Sequence, residues 1–119
     1  MEKAVATVVF ESLASGVRLD IFRMLVKKGP EGMVAGDIAK ALAMPATTLS
    51  FHLKALTHSR LLTVEQQGRF QRYRANLALM VELIAYLTEE CCSGQAEECV
   101  DMAGVTACLS CGTPGVETA

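Results

Sequence analysis

Residues 89–99 read EECCSGQAEEC. Cys91 and Cys92 are adjacent, Cys99 follows seven residues later, and Cys108 and Cys111 make a second pair in CLSCG; these are all five cysteines of the chain. Clustered thiolates select soft, thiophilic ions. Adjacent cysteines are poor disulfide partners, because bridge geometry is specific and a vicinal bridge is strained. They chelate well where a helix frays, and the stretch Ser93 to Glu98 is long enough to bring Cys99 back onto them. Zinc prefers four ligands in a closed site. Cys108 or Cys111 could supply the fourth sulfur, and Glu89, Glu90, Glu97 and Glu98 would favour a divalent cation such as cadmium or zinc. Two other readings of the same thiols stand beside chelation: Cys91 as a core residue of a helix, and Cys91, Cys92 and Cys99 as a redox switch. No Lys or Arg follows Arg74, so nothing there lowers a thiol pKa. The same lack argues against a cysteine enzyme, which needs a cationic cradle for its anion.

The segments that must position these thiols are mostly helical. A first helix is expected from about Glu2 to Leu13, with Val5, Val8, Val9 and Leu13 at helical spacing. Glu11 interrupts the apolar run, which favours an amphipathic helix over a secretion signal. Ser15 suits the N-cap of a second helix carrying Val17, Ile21, Phe22 and Leu25. Its end is marked by Lys27 and Lys28 at the negative pole, by Gly29 at a left-handed C′ position, and by Pro30. A short third helix carries Ala35, Ile38, Ala39 and Leu42, and after a tight break Pro45 opens a fourth. On that fourth helix Leu49, Leu53 and Leu56 share one side with His52 at its flank, while Thr47, Ser50, Phe51 and Lys54 point away. Leu61–Glu65 reads as a strand, Gln66–Arg69 as a turn, and Phe70–Arg74 as a return strand with Phe70, Arg72 and Arg74 on one face. Asn76 is placed to cap a fifth helix running to about Cys91. Its stripe is Leu77, Met80, Val81, Ile84, Leu87 and Cys91, with Leu79, Leu83 and Tyr86 on another side.

This layout predicts a mainly α fold with a small β-hairpin, a winged helix-turn-helix. Residues 1–92 would form the DNA-binding and dimerisation domain, and 93–119 a flexible, acidic, cysteine-bearing tail. Half the chain is apolar, and a fifth helix apolar nearly all round needs more cover than a 119-residue chain offers. The first and fifth helices are therefore expected to make a symmetric dimer. Thr47, Thr48, Ser50, Phe51 and Lys54 suit a major groove, and Arg69, Arg72 and Arg74 a DNA backbone or minor groove. His52 is expected to be structural or phosphate-facing, and His58 to lie on the surface. Charge supports this reading. Over residues 46–75, Lys54, Arg60, Arg69, Arg72 and Arg74 stand against the single acid Glu65, although the whole chain carries a net charge of −2. A basic stripe in an acidic protein is a local footprint for an anionic partner. No apolar run approaches the roughly 20 residues that a membrane helix needs. A cytoplasmic location with reduced thiols is expected.

Residues 49–74, LSFHLKALTHSRLLTVEQQGRFQRYR, resemble the recognition helix and wing of the arsenic-repressor (ArsR/SmtB) family of bacterial winged-helix regulators. Ser50-Phe51-His52-Leu53-Lys54 is similar to its S-x-H-L-K core, Arg18-Leu19 to its second-helix pair, and Gly68-Arg69 with Tyr73-Arg74 to its wing. The resemblance spans roughly residues 10–92. It implies a homodimer on a palindromic operator, repressing transcription until an inducer ion releases it. The family's best-known arsenic site, E-L-C-V-C-D in the third helix, has no counterpart: the matching stretch is Met33-Val34-Ala35-Gly36-Asp37. The segment from Cys91 to Cys99 is instead similar to the C-terminal C-C-x-G-x-x-E-x-C of another arsenic-responsive branch. That resemblance implies Cys91, Cys92 and Cys99 as inducer ligands; Cys108 and Cys111 lie outside it and read as a dispensable or accessory thiol pair, or as metal capture or a fourth ligand. Three sulfurs without histidine suit As(III), with Sb(III) or methylated As(III) as further candidates. Neutral arsenous acid gains nothing from the neighbouring carboxylates. The alternatives of the same fold are a thiol-redox-switched repressor and one responsive to cadmium or zinc.

Overall fold

The computed structural model describes residues 1–89. Its elements are α1 (Lys3–Leu13), α2 (Gly16–Lys28), a single 3-10 turn (Gly29–Glu31), β1 (Met33–Val34), α3 (Ala35–Leu42), α4 (Ala46–His58), β2 (Leu62–Gln67), β3 (Phe70–Ala75) and α5 (Leu77–Leu87). The helices begin close to where local chemistry places them. Ser15 Oγ accepts from the Arg18 amide at 3.5 Å, and Asn76 Oδ1 accepts from the Leu79 amide at 3.2 Å. Pro45, extended at φ −61 and ψ 146, precedes the first residue of α4. Gly29 ends α2 with a positive φ of 71, as expected, but its ψ of −148 lies outside the left-handed helical region and turns the chain into Pro30.

The sheet has three strands, ordered β1-β3-β2 and antiparallel throughout, rather than the two of a simple hairpin. β1 is only Met33 and Val34, pairing with Tyr73 and Arg72. A two-residue strand leaves no alternation for a sequence reading to detect. β2 extends to Gln67, so the turn shrinks to Gly68-Arg69, with Gln67 opposite Phe70. Gly68 sits at φ +62, which suits a residue without a Cβ.

One core joins the helices to the sheet. Val9, Ile21, Leu25, Ile38, Leu49, Leu56, Leu61 and Leu62 are fully buried in it. Each such aliphatic side chain contributes roughly 1.5–3 kcal/mol of transfer free energy. Tyr73 brings β3 into the same cluster. On α5 the buried residues are Leu79 and Leu83. The stripe Leu77, Met80, Val81, Ile84 and Leu87 is only half-buried or exposed, with Leu87 56% exposed. On α1, Ala6, Val9 and Ser12 face inward, while Val8 and Phe10 stand exposed on either flank.

α5 stops at Leu87, short of the expected Cys91. The Thr88 amide still donates to the Ile84 carbonyl at 3.1 Å, a helical bond, and its hydroxyl reaches the same oxygen at 2.7 Å; Thr88, at φ −109 and ψ 15, then leaves helical geometry. Cys91, Cys92, Cys99, Cys108 and Cys111, and the expected domain division at 92/93, lie outside the described residues. Among the described residues no helix is long and apolar enough to cross a membrane.

Candidate nucleic-acid interface

α3 and α4 form the helix-turn-helix. The turn between them is made by Ala43 in the left-handed region, φ 51 and ψ 48. The Ala43 amide donates to Lys40 O, and the Met44 amide reaches back to Ala39 O, which satisfies the last carbonyls of α3. The turn is tight because these bonds close it. α4 then presents the two faces expected of it. Leu49, Leu53 and Leu56 are buried; Thr47, Thr48, Ser50, Phe51 and Lys54 are exposed, with Phe51 65% exposed. An aromatic this open, bracketed by hydroxyls and a lysine, suits contact with thymine methyls and base edges.

His52 is neither free nor buried. Arg18 of α2 donates from Nε to His52 Nδ1 at 3.3 Å, which leaves the ring proton of neutral His52 on Nε2. The same guanidinium lies 5.9 Å from the centre of the Phe51 ring, and the Phe51 and His52 rings meet edge to face at 5.6 Å. Arg18 thus supports the exposed face of α4 from the neighbouring helix. Its place beside Leu19 was legible in the sequence; its task was not, because only the fold brings residue 18 to residue 52.

The wing separates three arginines that the sequence groups together. Arg69 is exposed at the tip, next to Phe70, itself 62% exposed. Arg74 donates from Nε to Pro30 O at 2.8 Å and pairs through Nη1 with Glu65 at 2.7 Å. Arg72 donates from Nε to Gln67 Oε1 at 2.9 Å and from Nη1 to Glu31 O at 3.0 Å. Both guanidinium groups thus carry intramolecular hydrogen bonds, all of them solvent-exposed. The Glu65 carboxyl is held below its usual range, first by its hydrogen bond from Arg74, then by Gln67. Glu65 lies opposite Arg72 in the observed register, whereas the expected turn of Gln66–Arg69 would have set it against Phe70. The partners in the Gly29–Glu31 turn were not readable from the hairpin, being some forty residues away. Burial raises the Tyr73 hydroxyl's pKa, and that hydroxyl donates to Gln71 Oε1 at 3.0 Å. His58 is exposed, as expected. Among the described residues no three His, Cys, Asp or Glu side chains gather as a metal site would require.

A helix-turn-helix domain family matches residues 13–65. No curated protein matches the chain. Several solved structures do. A fragment (1–100) from Mycobacterium bovis is 30% identical in its crystal structure, over 71% of this chain and 88% of that one, with a TM-score of 0.58. Its solution structure, described as a homodimeric winged helix-turn-helix DNA-binding domain of a possible ArsR-family transcriptional regulator, is 29% identical over 73% and 81%, at a TM-score of 0.58. HlyU from Vibrio cholerae is 27% identical over 73% of this chain and 97% of that chain, at a TM-score of 0.58. An ArsR-like transcriptional regulator from Rhodococcus sp. RHA1 is 25% identical over 87% and 92%, with a TM-score of 0.64.

Proposed function

We propose that the chain is an ArsR-type winged-helix transcriptional regulator, a homodimeric cytoplasmic repressor released from a palindromic operator by trivalent arsenic; its likeness to the homodimeric winged-helix domain and to the ArsR-like regulator supports the family. The exposed face of α4, carrying Thr47, Thr48, Ser50, Phe51 and Lys54 beside the Arg69 wing tip, carries the DNA half of the reading. Two such helices in a symmetric dimer would meet half-sites about one duplex turn apart. The uncovered stripe on α5 and the exposed Val8 and Phe10 of α1 supply the apolar area for the dimer, in keeping with the homodimeric relative.

The inducer half rests on donor chemistry. Cys91, Cys92 and Cys99 offer three soft sulfurs within nine residues, and no cation stands near in sequence to favour an anion instead. The donor set fits As(III) or Sb(III) with three sulfurs, and a methylated As(III) with Cys91 and Cys92 alone. The thiols follow α5 directly in the chain, so tying Cys99 back to Cys91 and Cys92 would act beside the helix that carries the dimer stripe. Coupling of this kind amounts to about 1–3 kcal/mol and is reciprocal, so operator DNA weakens inducer binding by the same factor.

The test is fluorescence anisotropy on an operator duplex selected by the protein from a random-sequence pool. The salt dependence of its affinity should be steep, because phosphate contacts release counterions. Titration under reducing conditions with As(III), Sb(III), methylated As(III), Cd(II) and Zn(II) should release the duplex with the trivalent ions first. Release by peroxide, with none by arsenite, would establish a redox switch in its place. Release by Cd(II) or Zn(II) alone would establish a divalent sensor.

A further inference from the structure

We propose that Arg74, together with Arg72, is a positioning residue that locks the wing onto the Gly29–Glu31 turn, leaving Arg69 as the wing arginine that meets DNA. The inference rests on the DNA-binding reading above. Beyond Leu62 and Tyr73 in the core, the hairpin joins the body of the fold through a short pairing, Met33 and Val34 against Tyr73 and Arg72. A two-stranded ribbon is marginally stable by itself, so its tip needs another anchor to hold one direction. The outward face of β3 supplies it. Phe70, Arg72 and Arg74 lie opposite Gln67, Glu65 and Thr63. Each arginine reaches diagonally to a β2 side chain, Arg74 to Glu65 and Arg72 to Gln67, and also to a carbonyl of the turn, Pro30 O and Glu31 O respectively.

The two forks therefore repeat one connection, from β3 to β2 and to the turn. That turn is a firm base. Pro30 fixes its own φ, and Gly32, at φ +62, lies so close to β3 that a Cβ there would collide with the Tyr73 carbonyl oxygen. Each guanidinium commits Nε and an Nη1 hydrogen to these two acceptors, so a move to phosphate through those atoms gives up charge-assisted bonds. Glu65 further cancels the charge of Arg74. Arg69 has no ion-pair partner among the described residues and stands at the tip.

The two roles predict opposite signs. If Arg74 braces the wing, Glu65→Gln strips the charge from one of its two acceptors and weakens DNA binding, although it deletes a negative charge. If Arg74 meets phosphate, the same change removes repulsion and tightens binding. Affinity for the selected operator duplex is measured across salt concentrations for wild type, E65Q, R74A, R74K and R69A. Wing mobility is read separately, from 15N relaxation of the Gln66 to Arg69 amides without DNA. We expect R74A to bind roughly tenfold more weakly, given the strength of charged hydrogen bonds, with the salt slope unchanged. R74K should fail to rescue, because an ammonium cannot fork between two acceptors. R69A should lower the slope by about 1. Wing amides should become more mobile in R74A and E65Q. A slope reduced by about 1 in R74A, rescue by R74K, or tighter binding by E65Q overturns the proposal. Unchanged wing mobility also overturns it, and does so even if no duplex is bound, an outcome that would count separately against the DNA-binding reading.

Discussion

Arg69, Arg72 and Arg74 are alike in the sequence, and only their partners divide them. Alternation shows that residues 70, 72 and 74 share a face, but not what that face meets. The acceptors that engage Arg72 and Arg74 are backbone carbonyls of Glu31 and Pro30, groups that every residue possesses and no motif marks. The same holds for Arg18 and His52, which meet only once α2 and α4 have packed. Glu65 gives a pH signature to the brace. Its carboxyl is held below the ordinary carboxylate range, chiefly by the hydrogen bond from Arg74. The folded pKa is thus lower than the unfolded one. The favourable contribution is present above the unfolded value and is lost as pH falls through the lowered folded value. An NMR titration should place the Glu65 carboxyl below an exposed glutamate and return it toward the ordinary range in R74A. Titration at the ordinary value in wild type would show that the pair does not persist in solution.

Among the elements, the helices were legible because each carries its own punctuation. Ser15, Asn76, Gly29 and Pro45 act within a few residues of their position, so sequence order is enough to read them. β1 was not legible, since two residues carry no period and its partner lies forty residues on. The far end of α5 was overestimated for a related reason. The apolar pattern continues to Cys91, but the last helical residue is Leu87, and Thr88 leaves helical geometry at φ −109 and ψ 15. The helix-turn-helix corner offers a direct check. Ala43 holds a left-handed conformation that penalises a Cβ by about 1–2 kcal/mol. Ala43→Gly should relieve that strain, less what glycine adds to the freedom of the unfolded chain, for a net gain of about 0.5–1 kcal/mol. Denaturant unfolding reads it; a lower midpoint would mean that the corner is not left-handed.

For the molecule as a whole, the winged helix-turn-helix was readable from the order of its parts, and the surface left over points to a second copy. α5 uses Leu79 and Leu83 for its own core and leaves a second apolar stripe about 110° round the helix, by the 100° step per residue. Because Leu87 is exposed in the single chain, Leu87→Glu should leave the monomer fold intact while opposing association. Sedimentation should show a dimer for wild type and a shift toward monomer for the variant, with unchanged circular dichroism. A variant that remains fully dimeric would move the interface elsewhere. The acidic, cysteine-bearing stretch after α5 is where sequence alone still speaks. Three thiols in nine residues define a soft donor set, and Cys108 and Cys111 stand nine and twelve residues beyond Cys99.

The central claim, that thiophilic binding by these cysteines releases DNA, is tested most directly by one titration. Arsenite is added under reducing conditions to the operator complex of wild type and of single Cys→Ser variants. Wild type, C108S and C111S should release the duplex, while C91S, C92S and C99S should retain it, each binding the operator with wild-type affinity before arsenite is added. If wild type and all three of those variants respond alike, these cysteines are not the sensor.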